Sequence, residues 1–335
     1  MARSDLLISL VRASMSGDKK TVRSTVETII AEENGKQHKV LADRLSRVLQ
    51  INGNATPAMP PSSDAGSRGR EFVAEVTPRR RLDDLILSET CRKAVDQLVE
   101  EQQRASVLRA HSVDPRNRIL LVGPPGNGKT SLAEAVAEAL AVPFFVVRYD
   151  AMIGSYLGET AGRLKRIFDY VRTTPCVLFF DEFDAVGKER GDIHETGEIK
   201  RVVTSLLMNV DDLPSYSIVV AATNHSELLD RAVWRRFQLR LALPAPTEKQ
   251  LIRYFERFFE SINEKPGITA VALTKRLGSI SYAEAEEFTL DIRRREILAM
   301  KESSLREIIE SQLQLWDVRA QPSRLNDDEE APPNA

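Results

Sequence analysis

Gly123-Pro124-Pro125-Gly126-Asn127-Gly128-Lys129-Thr130 follows the apolar run Ile119-Leu120-Leu121-Val122 and opens a helix-favouring stretch, 131–140. A strand, a glycine loop and a helix in this order make the setting that a phosphate-binding loop needs. The glycines let backbone N–H groups turn inward around phosphate oxygens without a Cβ in the way. Lys129 brings a point charge to the outer phosphates, and the Thr130 hydroxyl is a ligand for Mg²⁺. The helix that starts near Ser131 turns the positive end of its dipole toward the same anion.

Two further strand ends carry chemistry. Cys176-Val177-Leu178-Phe179-Phe180 reads as a strand buried on both faces, and it ends in Asp181-Glu182. Adjacent carboxylates at a buried strand end are costly unless they serve a cation or a proton transfer. Asp181 is placed to hold Mg²⁺ through water, and Glu182 to polarise an attacking water. Ser217-Ile218-Val219-Val220-Ala221-Ala222 ends in Thr223-Asn224, a polar pair within reach of a γ-phosphate or of that water.

On these residues the chain resembles the AAA family of ATPases, from about Leu82 to about Leu298. The resemblance takes in the loop 123–130 with Ser131 behind it, the strand-end acids Asp181 and Glu182, and Asn224 as a sensor. It extends to Leu229-Asp230-Arg231-Ala232-Val233-Trp234-Arg235-Arg236-Phe237. In the family, one or two arginines of that stretch reach the neighbouring subunit's nucleotide. Here Arg235 and Arg236 are adjacent, without the Pro-Gly insertion that separates them in many relatives, and both are candidates. The resemblance implies ATP as substrate, Mg²⁺ as cofactor and a homo-oligomeric ring, a hexamer in the family. It also implies that Leu82-Asp83-Asp84-Leu85-Ile86-Leu87 packs against adenine, and that Tyr156-Leu157-Gly158, between the second strand and the next helix, lines a central pore and grips polypeptide. The expected function is ATP-driven remodelling or unfolding of a protein substrate. Residues 187–198, with Lys188, Glu189, Arg190 and His194, would form a second pore loop. Compact bacterial relatives encoded beside a subtilisin-like protease in defence systems add a separate protease as a possible partner.

Two other function classes compete: a DNA-associated motor, and a nucleotide-dependent scaffold that does not thread. The DNA reading predicts a basic surface and a reader module. The net charge of −2 supplies no general basic field. No serine–histidine–acid set is spaced for proteolysis among the four histidines.

The 335 residues, 42% hydrophobic and 29% charged, are ordinary for a soluble globular protein. The two cysteines, Cys91 and Cys176, include one in an expected buried strand, which argues against a disulfide and for a reducing compartment. No apolar run approaches the ~20 residues of a membrane span, so the expected location is cytoplasmic, with no membrane partner.

The expected organisation has five parts. Residues 1–51 carry apolar stripes at helical spacing and read as a small helical domain for substrates or adaptors, or as an oligomerising appendage. Residues 52–75 read as a flexible linker rich in proline, glycine and serine. Residues 76–244 alternate strands (near 118–122, 144–148, 176–180, 217–222 and 238–242) with amphipathic helices. This predicts an α/β fold with a parallel sheet and ligands at the strands' carboxyl ends. Residues 245–318 read as a helical lid, opened by capping boxes at Thr247 with Gln250 and Ser281 with Glu284. Tyr282, Ala283 and Glu284 stand where wider relatives place a sensor arginine, so none is assigned. Residues 319–335, with Asp327-Asp328-Glu329-Glu330, read as a disordered acidic tail.

Overall fold

The apolar run ahead of the glycine loop forms β2 (Arg118–Val122) in the middle of a six-stranded sheet in the computed structural model of the chain. The structure describes residues 69–152, 157–184, 196–262, 265–299 and 304–319, together with 25, 26 and 28. Met1–Ser63 and Asp64–Ala335 are separate units. The expected N-terminal helices, most of the expected linker, Ser155, Tyr156, His194 and the tail from 320 lie outside the described residues.

The strands are β1 (Val73–Val76), β2, β3 (Phe144–Val147), β4 (Val177–Phe180), β5 (Ile218–Thr223) and β6 (Leu239–Ala242), in the order β1-β3-β4-β5-β2-β6. All neighbours run parallel except β1, which pairs antiparallel with β3, Val73 opposite Val147 and Val76 opposite Phe144. The edge strand overlaps the end of the expected linker, 52–75, at residues 73–75. Phe72 and Val73 are buried, and a side chain at Gly69 would meet the Arg166 carbonyl at 2.4 Å, so this stretch is packed into the body.

Each central strand sends alternate residues to opposite faces. Leu120, Leu178, Phe180, Val219 and Ala221 join one core beneath α5 (Leu157–Val171) and α6 (Thr196–Asp211), whose Leu164, Ile167, Phe168, Leu206 and Val210 are buried there. Ile119, Leu121, Val177, Phe179, Val220 and Ala222 join the other core, against α1 (Glu89–Gln103) and α3 (Lys129–Leu140). The remaining helices of this part are α2 (Ala105–Ala110), α4 (Tyr149–Met152) and α7 (Arg231–Arg236). With helices on both faces, only the strand ends remain for ligands.

Helix α5 starts earlier than the sequence suggests. Leu157 and Gly158, expected on a loop, belong to its first turn. Glu159 sits in that turn, favourable to the helix dipole, and pairs with Arg163 one turn on at 3.1 Å.

Beyond Pro244-Ala245-Pro246, four helices close around a third core: α8 (Glu248–Glu260), α9 (Ala270–Leu277), α10 (Tyr282–Leu298) and α11 (Leu305–Asp317). Leu251, Phe255, Phe288 and Ile309 are buried there, and Phe288 meets Trp316 edge-on at 5.5 Å. Capping boxes open α8 (Thr247/Gln250), α10 (Ser281/Glu284) and α11 (Ser304/Glu307). No helix among the described residues is long and apolar enough to cross a membrane.

Candidate nucleotide site

Strand order explains why three distant segments meet. β5 lies between β2 and β4, with Thr223 level with Val122 and Ala221 level with Phe180. Asn224, just past β5, therefore stands between the glycine loop that leaves β2 and the acids that end β4. A cleft of about 360 Å³ is lined there by Pro125, Gly126, Asn127, Gly128, Lys129, Thr130, Ser131, Asp181, Glu182 and Asn224. Tyr282, Ala283 and Glu286 of α10 line its far side. Gly123 and Pro124 lie behind the cleft, where their carbonyls accept from Lys129 at 2.7 and 2.9 Å.

The glycines serve different ends. Gly128 has φ +83° and open space where a Cβ would stand, which leaves its peptide clear for an approaching anion. Gly123 answers to packing, since a Cβ there would meet the Leu243 carbonyl at 2.1 Å.

The Lys129 ammonium also donates to Asn224 Oδ1 at 2.6 Å. Burial pulls its pKa down, and the nearby charges of Asp181 and Asp184 oppose that shift. The Thr130 hydroxyl is 3.5 Å from Asp181 Oδ2. A hydroxyl and one carboxylate are hard oxygen donors of the number that Mg²⁺ uses when phosphates and waters complete its shell, so these residues fit that ion. No group of three or more His, Cys, Asp or Glu is arranged for a metal among the described residues.

Glu182 is held by its neighbours rather than by its own contacts. Phe183 folds back into the core, edge-on to Phe180 at 5.9 Å and to Phe237 at 5.8 Å, and its N–H donates to the Ala222 carbonyl at 2.8 Å. With β4 on one side and Phe183 anchored on the other, Glu182 takes φ +44° and its side chain is exposed to the cleft. A non-glycine residue at positive φ is a costly arrangement that the surroundings must enforce.

Arg235 and Arg236 are outside this cleft, at the C-terminal end of α7. Arg236 donates to Asp211 at 2.9 Å, and Arg118 binds the same carboxylate. Arg235 is exposed and makes no hydrogen bond or ion pair to a described residue. Tyr156 lies outside the described residues.

Sequence reasoning missed Asp184, which accepts from the Thr223 hydroxyl at 2.7 Å and ties the ends of β4 and β5 together. Its only local signal is its place in Asp181-Glu182-Phe183-Asp184. It also missed how closely α10 approaches, the Ala283 N–H donating to the Gly126 carbonyl at 2.9 Å.

The profile of the ATPase family associated with various cellular activities (AAA) matches residues 119–245. The "Uncharacterized AAA family ATPase y4kL" of Sinorhizobium fredii is 38% identical over 266 residues, covering 78% of this chain and 80% of its own length. A "Putative 26S proteasome regulatory subunit homolog" of Methanothermobacter thermautotrophicus is 28% identical over 76% of the chain and 69% of its own length. The "ATP-dependent zinc metalloprotease FtsH" of Thermus thermophilus is 34% identical over 62% of the chain, which spans only 34% of that relative. The chain is thus an ATP-hydrolysing enzyme and belongs to the AAA family of ATPases.

Proposed function

We propose that the chain works as a ring of identical subunits that uses ATP hydrolysis to remodel or unfold protein. The observation that carries the ring is an arginine in the wrong place for its own site. No arginine lines the cleft among the described residues, while Arg235 stands exposed and unengaged on α7. Charge developing on a transferred phosphoryl group is commonly met by an arginine supplied in trans. Arg235 is the finger in this reading, and Arg236 is a structural residue held by Asp211. Thr130 and Asp181 hold Mg²⁺, which when bound neutralises phosphate charge. Lys129 and Asn224 orient the γ-phosphate, and Glu182 polarises the attacking water. Tyr156, Leu157 and Gly158 grip polypeptide, and residues 1–51 recruit it. The names of two relatives, a proteasome regulatory subunit homologue and an ATP-dependent protease, support a protein substrate.

Arg235→Ala is expected to lower ATP hydrolysis by about 10³. Mixed with Lys129→Ala subunits, it should regain activity wherever an intact cleft meets an intact Arg235. Arg236→Ala should change stability by no more than ~1 kcal/mol, as for an exposed ion pair, and leave hydrolysis nearly intact. Equal losses from both variants, or no recovery on mixing, refute the assignment. For the substrate, Glu182→Gln loaded with ATP should retain a bound protein that the added change Tyr156→Ala releases. Capture of nucleic acid alone would favour a DNA motor.

A further inference from the structure

Arg80 holds a residue of the candidate nucleotide cleft from outside it. The stretch 77–81 joins β1 to the turn at Leu82–Asp84. Its middle is fixed to α3, because the backbone N–H groups of Arg79 and Arg80 both donate to one oxygen of Glu134, at 2.6 and 3.1 Å. α3 is the helix that follows the phosphate loop, so this stretch belongs to the body. From that anchored backbone the Arg80 guanidinium donates to Oε1 of Glu286 on α10. Glu286 lines the far side of the cleft, one helical turn past Tyr282.

Among the described residues, three hydrogen bonds tie the first two turns of α10 to the body. The Ala283 N–H donates to the Gly126 carbonyl at 2.9 Å, the Tyr282 hydroxyl to the Ile86 carbonyl at 3.0 Å, and Arg80 to Glu286. The first two end on main-chain carbonyls, whose positions the loop and the 82–87 segment set. The third joins two side chains, so it opens by rotation about their bonds while the backbone stays in place.

A lone carboxylate on the wall of a cleft for a polyanion is unfavourable. Paired with a guanidinium it is neutralised there. The hydrogen bond to Glu286 raises the Arg80 pKa despite partial burial, and the charges of Glu286 and Glu134 add to the rise. A nucleotide with its phosphates on Gly128, Lys129 and Thr130 extends its nucleoside away from Asp181 and Asn224, toward α10.

We propose that the Arg80–Glu286 pair is a latch on the nucleoside side of the cleft, which keeps α10 against the body and retains bound nucleotide until it opens. This rests on the cleft as the nucleotide site. The rate of release then scales with the fraction of time the latch is open.

The test uses the full chain and a fluorescent ADP, whose dissociation is followed by stopped flow after a chase of unlabelled ADP. With 45% and 43% of the two side chains exposed, Arg80→Gln and Glu286→Gln should each speed dissociation about three- to fivefold, the effect of an exposed ion pair with good geometry. The double variant should be no faster than either, since each single change already opens the latch. Glu287→Gln is the control. It removes the neighbouring carboxylate of α10, which pairs with Arg319 at 2.7 Å, and should leave dissociation parental.

Parental dissociation in both latch variants overturns the proposal, as does equal acceleration by Glu287→Gln. Slower dissociation from Glu286→Gln also overturns it and marks a carboxylate that only repels phosphate. Effects that multiply in the double variant show two independent residues and no latch. Lys129→Ala is measured in parallel. If it binds ADP as the parent does, the cleft reading and the latch both fall. If it loses ADP while the latch variants are parental, only the latch falls.

Discussion

The α/β body and the four-helix bundle that follows Pro246 are both held by apolar cores, but the seam between them is polar. In the body, six strands are covered on both faces, and Leu120, Phe179 and Val219 are almost wholly buried. The bundle has its own centre around Phe255, Leu273 and Phe288. Where they meet, the described contacts are hydrogen bonds and ions: Ala283 N–H to the Gly126 carbonyl, Tyr282 hydroxyl to the Ile86 carbonyl at 3.0 Å, Arg257 to the Asp83 carbonyl at 3.0 Å, and Arg80 to Glu286. Apolar cores resist rearrangement because they are close-packed. A seam of polar contacts resists less, since those of them that are exposed exchange with water. The candidate nucleotide cleft is lined from both sides of this seam, so a ligand there would touch both parts.

The largest test of that contrast is Phe288→Ala, which should destabilise the bundle by about 3–5 kcal/mol, the usual cost of removing a buried ring. In hydrogen exchange, amides of α8–α11 should lose protection while β2, β4 and β5 keep theirs. Loss of protection throughout would break the comparison and make the two cores one cooperative unit. A smaller test sharpens it. Ser281 and Ser304 cap α10 and α11 with the same chemistry, each paired with a glutamate three residues on. Ser281→Ala and Ser304→Ala should each cost about 1 kcal/mol in thermal unfolding. Only Ser281→Ala should weaken ATP binding, because only that cap adjoins the glycine loop.

The two regions also differed in how well the sequence announced them. Capping boxes are local signals, and those at Thr247 and Ser281 open α8 and α10 as expected. The glycine loop and the Asp181-Glu182 strand end were legible because few residue types satisfy their geometry. Strand β1 was not, since Val73-Ala74-Glu75-Val76 is short, half exposed and paired with a strand some seventy residues later. Asp184 was missed for a related reason: its partner is Thr223, and no spacing rule joins the two. The start of α5 was read late because a glycine and an aromatic beside it suggested a loop, whereas Glu159 and Arg163 sustain a helix.

Gly123 has a mechanical consequence. The chain leaves the body for the bundle through Leu243, whose N–H is held by the Val122 carbonyl at 2.8 Å and whose own carbonyl presses against Gly123 with no room for a side chain. The last tie of the body before the bundle and the root of the phosphate loop therefore meet at one point. Any displacement of the chain at Leu243 would reach the loop at its base, with no side chain between them to take up slack.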